Sequence, residues 1–171
     1  MASDPSALVA LSLGGNVGDV VASFRHALAR LAATPGVEIV AVSSVWRTKA
    51  WGKTDQPDFL NMAALLRARL SPREALALCL RIEKERGRER GERWGPRTLD
   101  IDVLTHGETR VDEEGLTLPH PRARERAFVL APLAEIAPDL SLGARTARES
   151  LALADTTGVV LDPVATAALS A

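Results

Sequence analysis

Apolar and polar positions follow two different periods along the first two thirds of the chain. Apolar runs at residues 7–13, 37–45, 59–70 and 99–104, with a shorter one at 116–118, predict strands. Helically spaced apolar positions follow Asp19 and Ser71, and both residues suit a helix N-cap. The second of these helices is expected to stop at Gly87.

The remainder of the chain is less regular. Loops are expected over residues 47–57 and 88–97, a charged turn over 108–115, and helices over 128–137 and 146–153. From residue 156 the pattern is weak, and a mobile tail is expected. Strands in near pairs with a few helices between them favour an α+β domain with helices packed on a mostly antiparallel sheet. We expect a single domain over residues 1–171, with a core at about 7–140 and a C-terminal extension at about 141–171.

Composition and charge narrow the class of protein. The 171 residues are 46% hydrophobic and 25% charged, which is ordinary for one globular domain. A net charge of -1 argues against nucleic acid as a partner, so an anion site must come from local clustering. No apolar run approaches the ~18 residues that a membrane span needs, and the run at 7–13 lacks the basic residues of a signal peptide. With Cys79 alone, no intrachain disulfide can form, and a cytoplasmic location is expected.

An acidic pair lies on one face of the strand at 99–104. Side chains two residues apart share a face, so Asp100 and Asp102 point away from the face of Leu99, Ile101 and Val103. Two neighbouring carboxylates repel each other unless a cation lies between them, and hard oxygen ligands suit Mg²⁺. A solvated strand face is the ordinary alternative for an isolated pair of this kind.

The loop before this strand is rich in arginine: Arg86, Arg88, Arg90, Arg93 and Arg97. Guanidinium groups bind phosphate oxygens in bidentate geometry, so a basic loop beside an acidic pair favours a metal–polyphosphate site. Glu89 and Glu92 leave a salt-bridged surface as the alternative for some of these arginines. Trp94 can either close over a flat ring or anchor the loop on the core.

His120 lies between two prolines, which restrict the backbone, and three arginines follow it: Arg122, Arg124 and Arg126. A phosphate contact is therefore expected for His120, whereas His26 and His106 lack such neighbours and are expected at the surface.

The glycines at residues 14–18 follow a strand, but their spacing is not that of a dinucleotide-binding loop, and a tight turn is favoured. No GxxxxGK[ST] motif is present, which excludes a P-loop kinase.

The run ERWGPRTLDID at 92–102, followed by LTLPHPR at 116–122, resembles the signature of the 6-hydroxymethyl-7,8-dihydropterin pyrophosphokinases. LSLGGNVGD, VSSVWRT, QPDFLN and FVLAPLAEIAPDL match the same family in order, so the resemblance covers roughly residues 7–140. It implies a ferredoxin-like α+β fold with mobile active-site loops. It also implies transfer of pyrophosphate from ATP to 6-hydroxymethyl-7,8-dihydropterin, giving AMP and the pterin pyrophosphate, in folate biosynthesis.

The resemblance also assigns roles by position. Asp100 and Asp102 would bridge two Mg²⁺ ions, and Arg88 and Arg97 would support the transfer. The positions around ATP are Glu83, Arg90, Trp94, Thr117, His120 and Arg126. Those of the pterin pocket are Thr48, Trp51, Gly52, Phe59, Asn61 and Phe128. The two phenylalanine rings would sandwich the heterocycle and Asn61 would bind its amide edge, although the residues alone favour plain core for both rings.

The chain departs from the family pattern at several positions. Lys49-Ala50 stands where a Pro-Pro pair is common, which implies a more flexible loop, and Phe59 replaces a frequent tyrosine. Gly115 and Pro121 lie where some members offer an arginine and a tyrosine to ATP, so the ATP affinity is expected to be weaker or differently distributed. The arginine loop is one residue shorter near Gly91, which makes the Arg90 match less secure than the Arg97 match.

Two other functions are alternatives to pyrophosphate transfer. Small α+β domains with basic loops often bind RNA, but the aromatic content of 4% and the net charge of -1 argue against that. Another Mg²⁺-dependent nucleotide kinase, releasing ADP, is the second alternative. The sequence indicates no obligate protein partner.

Overall fold

The computed structural model describes residues 5–49, 55–87 and 98–171. Its strands are β1 Ala7–Gly15, β2 Val37–Val42, β3 Trp46–Thr48, β4 Phe59–Ala68, β5 Asp100–His106, β6 Val111–Glu113, β7 Leu116–Leu118 and β8 Val160–Leu161. Its α-helices are α1 Val20–Ala32, α2 Pro72–Glu85, α3 Ala127–Ile136, α4 Ala147–Leu153 and α5 Pro163–Leu169, and a 3₁₀ turn spans Ala123–Glu125.

Six of the described strands form one sheet, in the order β5-β1-β4-β3-β8, with β2 also paired to β4. Every pairing in it is antiparallel. The second strand of the β-α-β-β-α-β pattern is split into β2 and β3, which pair with successive parts of β4. This arrangement confirms the expected ferredoxin-like α+β fold.

Side-chain capping sets where the first two helices begin. The Asp19 side chain accepts a hydrogen bond from the Ala22 backbone N–H at 3.0 Å. Ser71 and Glu74 form a reciprocal capping box at the start of α2. The backbone of Gly87, just beyond α2, has φ +77°, a conformation that favours glycine, so the predicted stop is confirmed.

One face of the sheet packs on α1 and α2. Leu11 and Leu13 of β1 and Met62 of β4 are fully buried there against Phe24 of α1 and Ile82 of α2. The strand predicted at 59–70 is confirmed over Phe59–Ala68. The opposite face is covered by α3, which buries Leu130 and Leu133 against Ala10, Leu65 and Leu104.

Several expectations for individual segments were wrong. The predicted loop at 47–57 begins inside β3, and the predicted charged turn contains β6, which pairs with β7. The expected mobile tail contains β8, which pairs with β3, and α5. His106 is 8% exposed and lies in β5, where its Nε2 is 2.6 Å from the Leu70 carbonyl oxygen, so it is not at the surface.

Candidate active site

Strand register brings the acidic pair and the predicted pterin residues to one face of the sheet. Gly14 of β1 is paired with Asp100 of β5 on one side and with Asn61 of β4 on the other. Paired residues share a face, so the side chains of Asp100 and Asn61 project from the same face with a glycine between them. Asp102 lies two pairs further along, opposite Ser12, and therefore on the same face as Asp100.

The predicted alternation in β5 is confirmed. Leu99, Ile101 and Val103 are 0%, 3% and 5% exposed, and all three belong to the core against α1 and α2. Asp100 and Asp102 are half-buried on the opposite face. The two carboxylates therefore lie side by side with partial access to solvent.

Two glycines at the end of β1 allow the three strands to approach. A Cβ at Gly14 would lie 3.0 Å from the Asn61 Oδ1, so glycine leaves the space that the Asn61 side chain occupies. A Cβ at Gly15 would lie 2.7 Å from the Thr98 carbonyl oxygen, which is closer than real Cβ atoms come. Gly15 thus permits the close passage of the segment that leads into Asp100.

The Glu83 side chain, which projects from α2, is hydrogen-bonded to the backbone of β5. Its carboxylate is 3% exposed and accepts a hydrogen bond of 2.7 Å from the backbone N–H of Ile101, between the two aspartates. A charge-assisted hydrogen bond in such a buried place is strong, so Glu83 ties α2 to the backbone of the acidic pair. The position near ATP that the family resemblance implies for Glu83 stays a prediction.

The pterin residues within the described part of the chain lie on β3, β4 and α3. Asn61 is 4% and Thr48 is 6% exposed, and the Asn61 Nδ2 donates to the Thr48 Oγ1 at 3.1 Å. Phe59 lies two residues before Asn61 in β4, on the same face and half-buried. Phe128 is half-buried in the first turn of α3, and the Arg126 guanidinium carbon lies 5.8 Å from its ring centroid.

Two of the described residues predicted to contact ATP, Thr117 and His120, border a cleft beside the acidic pair, whereas Glu83 and Arg126 do not line it. It has a volume of about 270 Å³ and is lined by Leu76, Ile101, Asp102, Val103, Gly115, Leu116, Thr117, His120 and Pro121. Asp102, Thr117 and His120 therefore face one space. Gly115 and Pro121, the two departures from the family pattern, lie in the same wall.

His120 is held in a defined orientation. Its backbone N–H donates to the Leu104 carbonyl at 2.8 Å, and its Nδ1 is 3.2 Å from the Arg122 backbone nitrogen, which donates to it. Burial lowers the pKa of His120, the Asp102 charge opposes this effect, and the Arg126 and Arg122 charges reinforce it. With Nδ1 accepting, the neutral ring carries its proton on Nε2, which can donate to an anion.

The carboxylates on this face suit a hard divalent cation such as Mg²⁺ only if a bound substrate supplies further oxygen ligands. In the described part of the chain, no group of three or more His, Cys, Asp or Glu side chains is placed to hold a metal. Mg²⁺ is commonly bound by one or two carboxylates together with waters and substrate phosphates, and the Asp100–Asp102 pair fits that pattern. An ion held in this way would depend on a bound polyphosphate.

Six predicted site residues fall outside the described residues: Trp51, Gly52, Arg88, Arg90, Trp94 and Arg97. Their roles stay predictions.

Sequence reasoning missed Glu135 of α3, whose Oε2 accepts from the Ser44 N–H at 2.8 Å and whose Oε1 accepts from the Trp46 Nε1 at 3.2 Å. It also missed the contact of Arg47 with Asp162. Neither pair has a local signal, because the partners are about ninety residues apart or more.

No helix in the portion of the chain that the structure describes is long and apolar enough to cross a membrane.

Comparison with known proteins identifies the family. Residues 10–138 match the family model of 7,8-dihydro-6-hydroxymethylpterin-pyrophosphokinase (HPPK). The 2-amino-4-hydroxy-6-hydroxymethyldihydropteridine pyrophosphokinase of Methylorubrum extorquens is 52% identical over 149 residues, covering 87% of this chain and 94% of the relative. The Bacillus subtilis protein of the same name is 47% identical over 126 residues, covering 74% of this chain and 75% of the relative.

Solved structures agree in fold. A crystal structure of Plasmodium falciparum HPPK-DHPS with pteroate matches with a TM-score of 0.69 at 12% identity. The match covers 89% of this chain and 45% of the solved chain, so this chain spans less than half of that protein. The chain belongs to the 7,8-dihydro-6-hydroxymethylpterin-pyrophosphokinase family.

Proposed function

We propose that the sheet face carrying Asp100, Asp102 and Asn61 binds ATP and 6-hydroxymethyl-7,8-dihydropterin side by side. As a family member, the chain is an ATP-dependent pyrophosphokinase of folate biosynthesis, which transfers pyrophosphate to the pterin alcohol. The observation that carries the proposed site is the strand register, in which Gly14 separates Asp100 from Asn61. In this register the proposed metal–phosphate subsite would lie on β5 and the proposed heterocycle subsite on β4, with β1 between them.

Asn61 is the proposed residue that orients the pterin. One of its amide hydrogens is used on the Thr48 hydroxyl, which leaves a second N–H and Oδ1 for a ligand edge that offers both an acceptor and a donor. Phe59 and Phe128 supply aromatic surface for stacking on the flat heterocycle. Trp51 and Gly52 are proposed to complete the pocket.

Asp100 and Asp102 would hold Mg²⁺, and two ions are proposed. When bound, the metal would neutralise phosphate charge and favour the charge that develops on the leaving side. The protein's own contribution is to fix the two carboxylates. The Glu83 carboxylate holds the Ile101 N–H between them, and Gly15 lets the preceding segment pass close to β1.

The cleft beside Asp102 is the proposed site of the ATP phosphates and nucleoside. Thr117 offers a hydroxyl and His120 offers the Nε2 proton. Arg126, whose charge acts on His120 and whose guanidinium carbon lies 5.8 Å from the Phe128 ring centroid, is proposed to join the phosphate subsite to the pterin subsite. Arg90 and Trp94 are proposed to contact ATP, and Arg88 and Arg97 to hold the transferring group. Guanidinium groups would do so in bidentate geometry.

The reaction of the family fits this proposed placement. The hydroxymethyl oxygen of the pterin attacks the β-phosphorus of ATP, a new O–P bond forms, and the bond from the β-phosphorus to the oxygen of the α-phosphate breaks. AMP leaves, and the hydroxyl proton passes to solvent. No residue forms a covalent intermediate, so rate acceleration comes from positioning and from charge stabilisation. A cytoplasmic location, with Cys79 reduced, remains the proposed setting.

A matched pair of variants tests the proposed metal subsite. Asp102→Asn removes one carboxylate charge with little change in shape, and we expect turnover to fall by at least about 10²-fold, as when a transition-state contact is lost. Asp139→Asn makes the same change in charge at a residue whose side chain is 85% exposed and does not line the cleft, so this control should retain wild-type turnover. AMP formation over a range of Mg²⁺ concentrations is the measurement. Near-normal turnover in Asp102→Asn would overturn the assignment.

A further inference from the structure

The C-terminal segment beyond the family match reaches back to the edge of the pterin side of the sheet. The family model ends at residue 138, whereas β8 and α5 lie at 160–169. In β8, Leu161 pairs with Trp46 and Val160 pairs with Arg47, both in β3. The Asp162 N–H then donates to the Val45 carbonyl at 2.9 Å. Without this segment, β3 would be a three-residue strand with an unpaired edge.

Arg47 and Asp162 form the polar centre of this contact. The Arg47 Nη2 and Nε lie 2.6 Å and 3.1 Å from the Asp162 Oδ2. The other carboxylate oxygen, Oδ1, accepts from the Ala165 N–H at 2.9 Å and caps α5. Asp162 is 9% exposed, so both of its oxygens are used in a buried place. The Arg47 Nη1 also lies 3.9 Å from the Asp58 Oδ2, in the residue before β4.

Further hydrogen bonds hold the residues just before β3 from two directions. The Thr166 hydroxyl of α5 accepts from the Val45 N–H at 2.9 Å and donates to the Asp162 carbonyl at 2.7 Å. From α3, the Glu135 carboxylate holds the Ser44 N–H. The backbone entering β3 is therefore fixed by the tail on one side and by α3 on the other.

The position of β3 matters because of what its last residue does. Thr48 is buried, and its hydroxyl accepts the Asn61 Nδ2 hydrogen that fixes the orientation of the amide. Arg47 is its immediate neighbour in the strand, and Asp58 directly precedes Phe59 in β4. One guanidinium group thus connects the C-terminal segment to both strands that carry the proposed pterin residues.

We propose that the C-terminal segment is a positioning element for the pterin pocket, and that Arg47 and Asp162 are positioning residues acting through Thr48 and Asn61. The inference rests on the proposed assignment of Asn61 and Thr48 to the pterin pocket. Loosening the pair lets β3 shift, and the Asn61 amide loses the partner that holds it in the binding orientation. Pterin affinity falls, while the ATP cleft, which lies on β5 and β7, is unchanged.

Asp162→Asn is the variant that isolates the ion pair. Asparagine is as good an N-cap as aspartate, so α5 keeps its cap while the charge facing Arg47 is removed. Asp155→Asn is the matched control, because it removes one charge from an exposed residue of the same segment, whose side chain accepts from the Thr157 N–H. Both are compared with Thr48→Val, which deletes the hydroxyl inside the proposed pocket.

The measurements are the dissociation constant of the pterin with a non-hydrolysable ATP analogue and Mg²⁺ present, the dissociation constant of that analogue alone, and the melting temperature. We expect Asp162→Asn to weaken pterin binding by about fivefold, or about 1 kcal/mol, and to leave analogue binding within about twofold. Asp155→Asn should match the wild type for both ligands. Arg47→Gln should repeat the loss, and the double variant should lose no more than the larger single loss.

The other outcomes distinguish an error in the pterin-pocket assignment from an error in the positioning role of the C-terminal segment. If Thr48→Val weakens pterin binding and Asp162→Asn does not, the pocket assignment stands and the positioning role is wrong. If Thr48→Val also binds the pterin normally, the pocket assignment itself is wrong and the inference falls with it. If Asp162→Asn weakens both ligands equally, the pair has only a general structural role. Should Asp162→Asn fail to fold, Arg47→Gln decides by the same comparison of the two ligands.

Discussion

Gly15→Ala tests whether the close passage between β1 and the segment entering β5 serves the acidic pair. A Cβ at this position would lie 2.7 Å from the Thr98 carbonyl oxygen and 3.3 Å from both the Thr98 carbonyl carbon and the Val20 Cγ1. The nearest atom belongs to the backbone, so it cannot rotate away as the end of a side chain would. The substitution must therefore move the Thr98 segment away from β1.

The size of the effect follows from that distance. Ordinary contact with a Cβ begins at 3.4 Å, so relief of the clash requires a shift of about 0.7 Å, the difference between 3.4 Å and 2.7 Å. Overpacking of this kind costs about 1–3 kcal/mol, which a native state stable by ~5–15 kcal/mol tolerates. Asp100 follows Thr98 by two residues, and a misplacement near 1 Å at an active site can cost about 10²-fold in rate. We therefore expect a folded protein whose kcat is about 10- to 100-fold lower.

Urea unfolding measures the loss of stability, and steady-state AMP formation at saturating ATP and Mg²⁺ measures the loss of kcat. Gly18→Ala is the control, since Gly18 has φ +72° and no atom within 4 Å of its Cβ position. Alanine there is strained by about 1 kcal/mol but displaces nothing. It should lose a similar amount of stability and keep its kcat within about threefold. Wild-type kcat in Gly15→Ala, or equal losses of kcat in both variants, would refute the reasoning.

Two further predictions concern α2. Glu83→Ala removes the acceptor for the buried Ile101 N–H and should lower the free energy of unfolding by about 2 kcal/mol, measured in urea, whereas Glu83→Gln keeps an acceptor oxygen and should lose less. Equal losses would show that the hydrogen bond is not the cause. Cys79 is 1% exposed, and burial, followed by the Glu83 and Asp102 charges, raises the pKa of its thiol to about 12. The native protein should not react with a thiol reagent at about pH 8, although the urea-unfolded chain should, and rapid labelling of the native protein would contradict this burial.

The parts of the fold that could be predicted from sequence are those with local signals. The alternation in β5 was sufficient to place Asp100 and Asp102 on one face, because side chains in a strand alternate strictly. The starts of α1 and α2 were predicted from single capping residues. The family resemblance was confirmed by the comparisons, and the roles it assigns to individual residues stay predictions.

The parts that could not be predicted depend on partners far away in the chain. β3 and β8 have three and two residues, too few to show a period; β3 is defined by its pairing with β4 and β8, and β8 by its pairing with β3. The expected surface position of His106 was wrong because its ring nitrogen contacts the carbonyl oxygen of Leu70, which lies between β4 and α2. The bond between Arg47 and Asp162 spans 115 residues, and no pattern near either residue indicates it.

The products of a single incubation test the central claim most directly. The purified protein is incubated with ATP, Mg²⁺ and 6-hydroxymethyl-7,8-dihydropterin, and the nucleotides and pterins are separated by chromatography. We expect AMP in an amount equal to that of pyrophosphorylated pterin, with neither formed when the pterin is omitted. Release of ADP, or the absence of pterin-dependent turnover, would contradict the account.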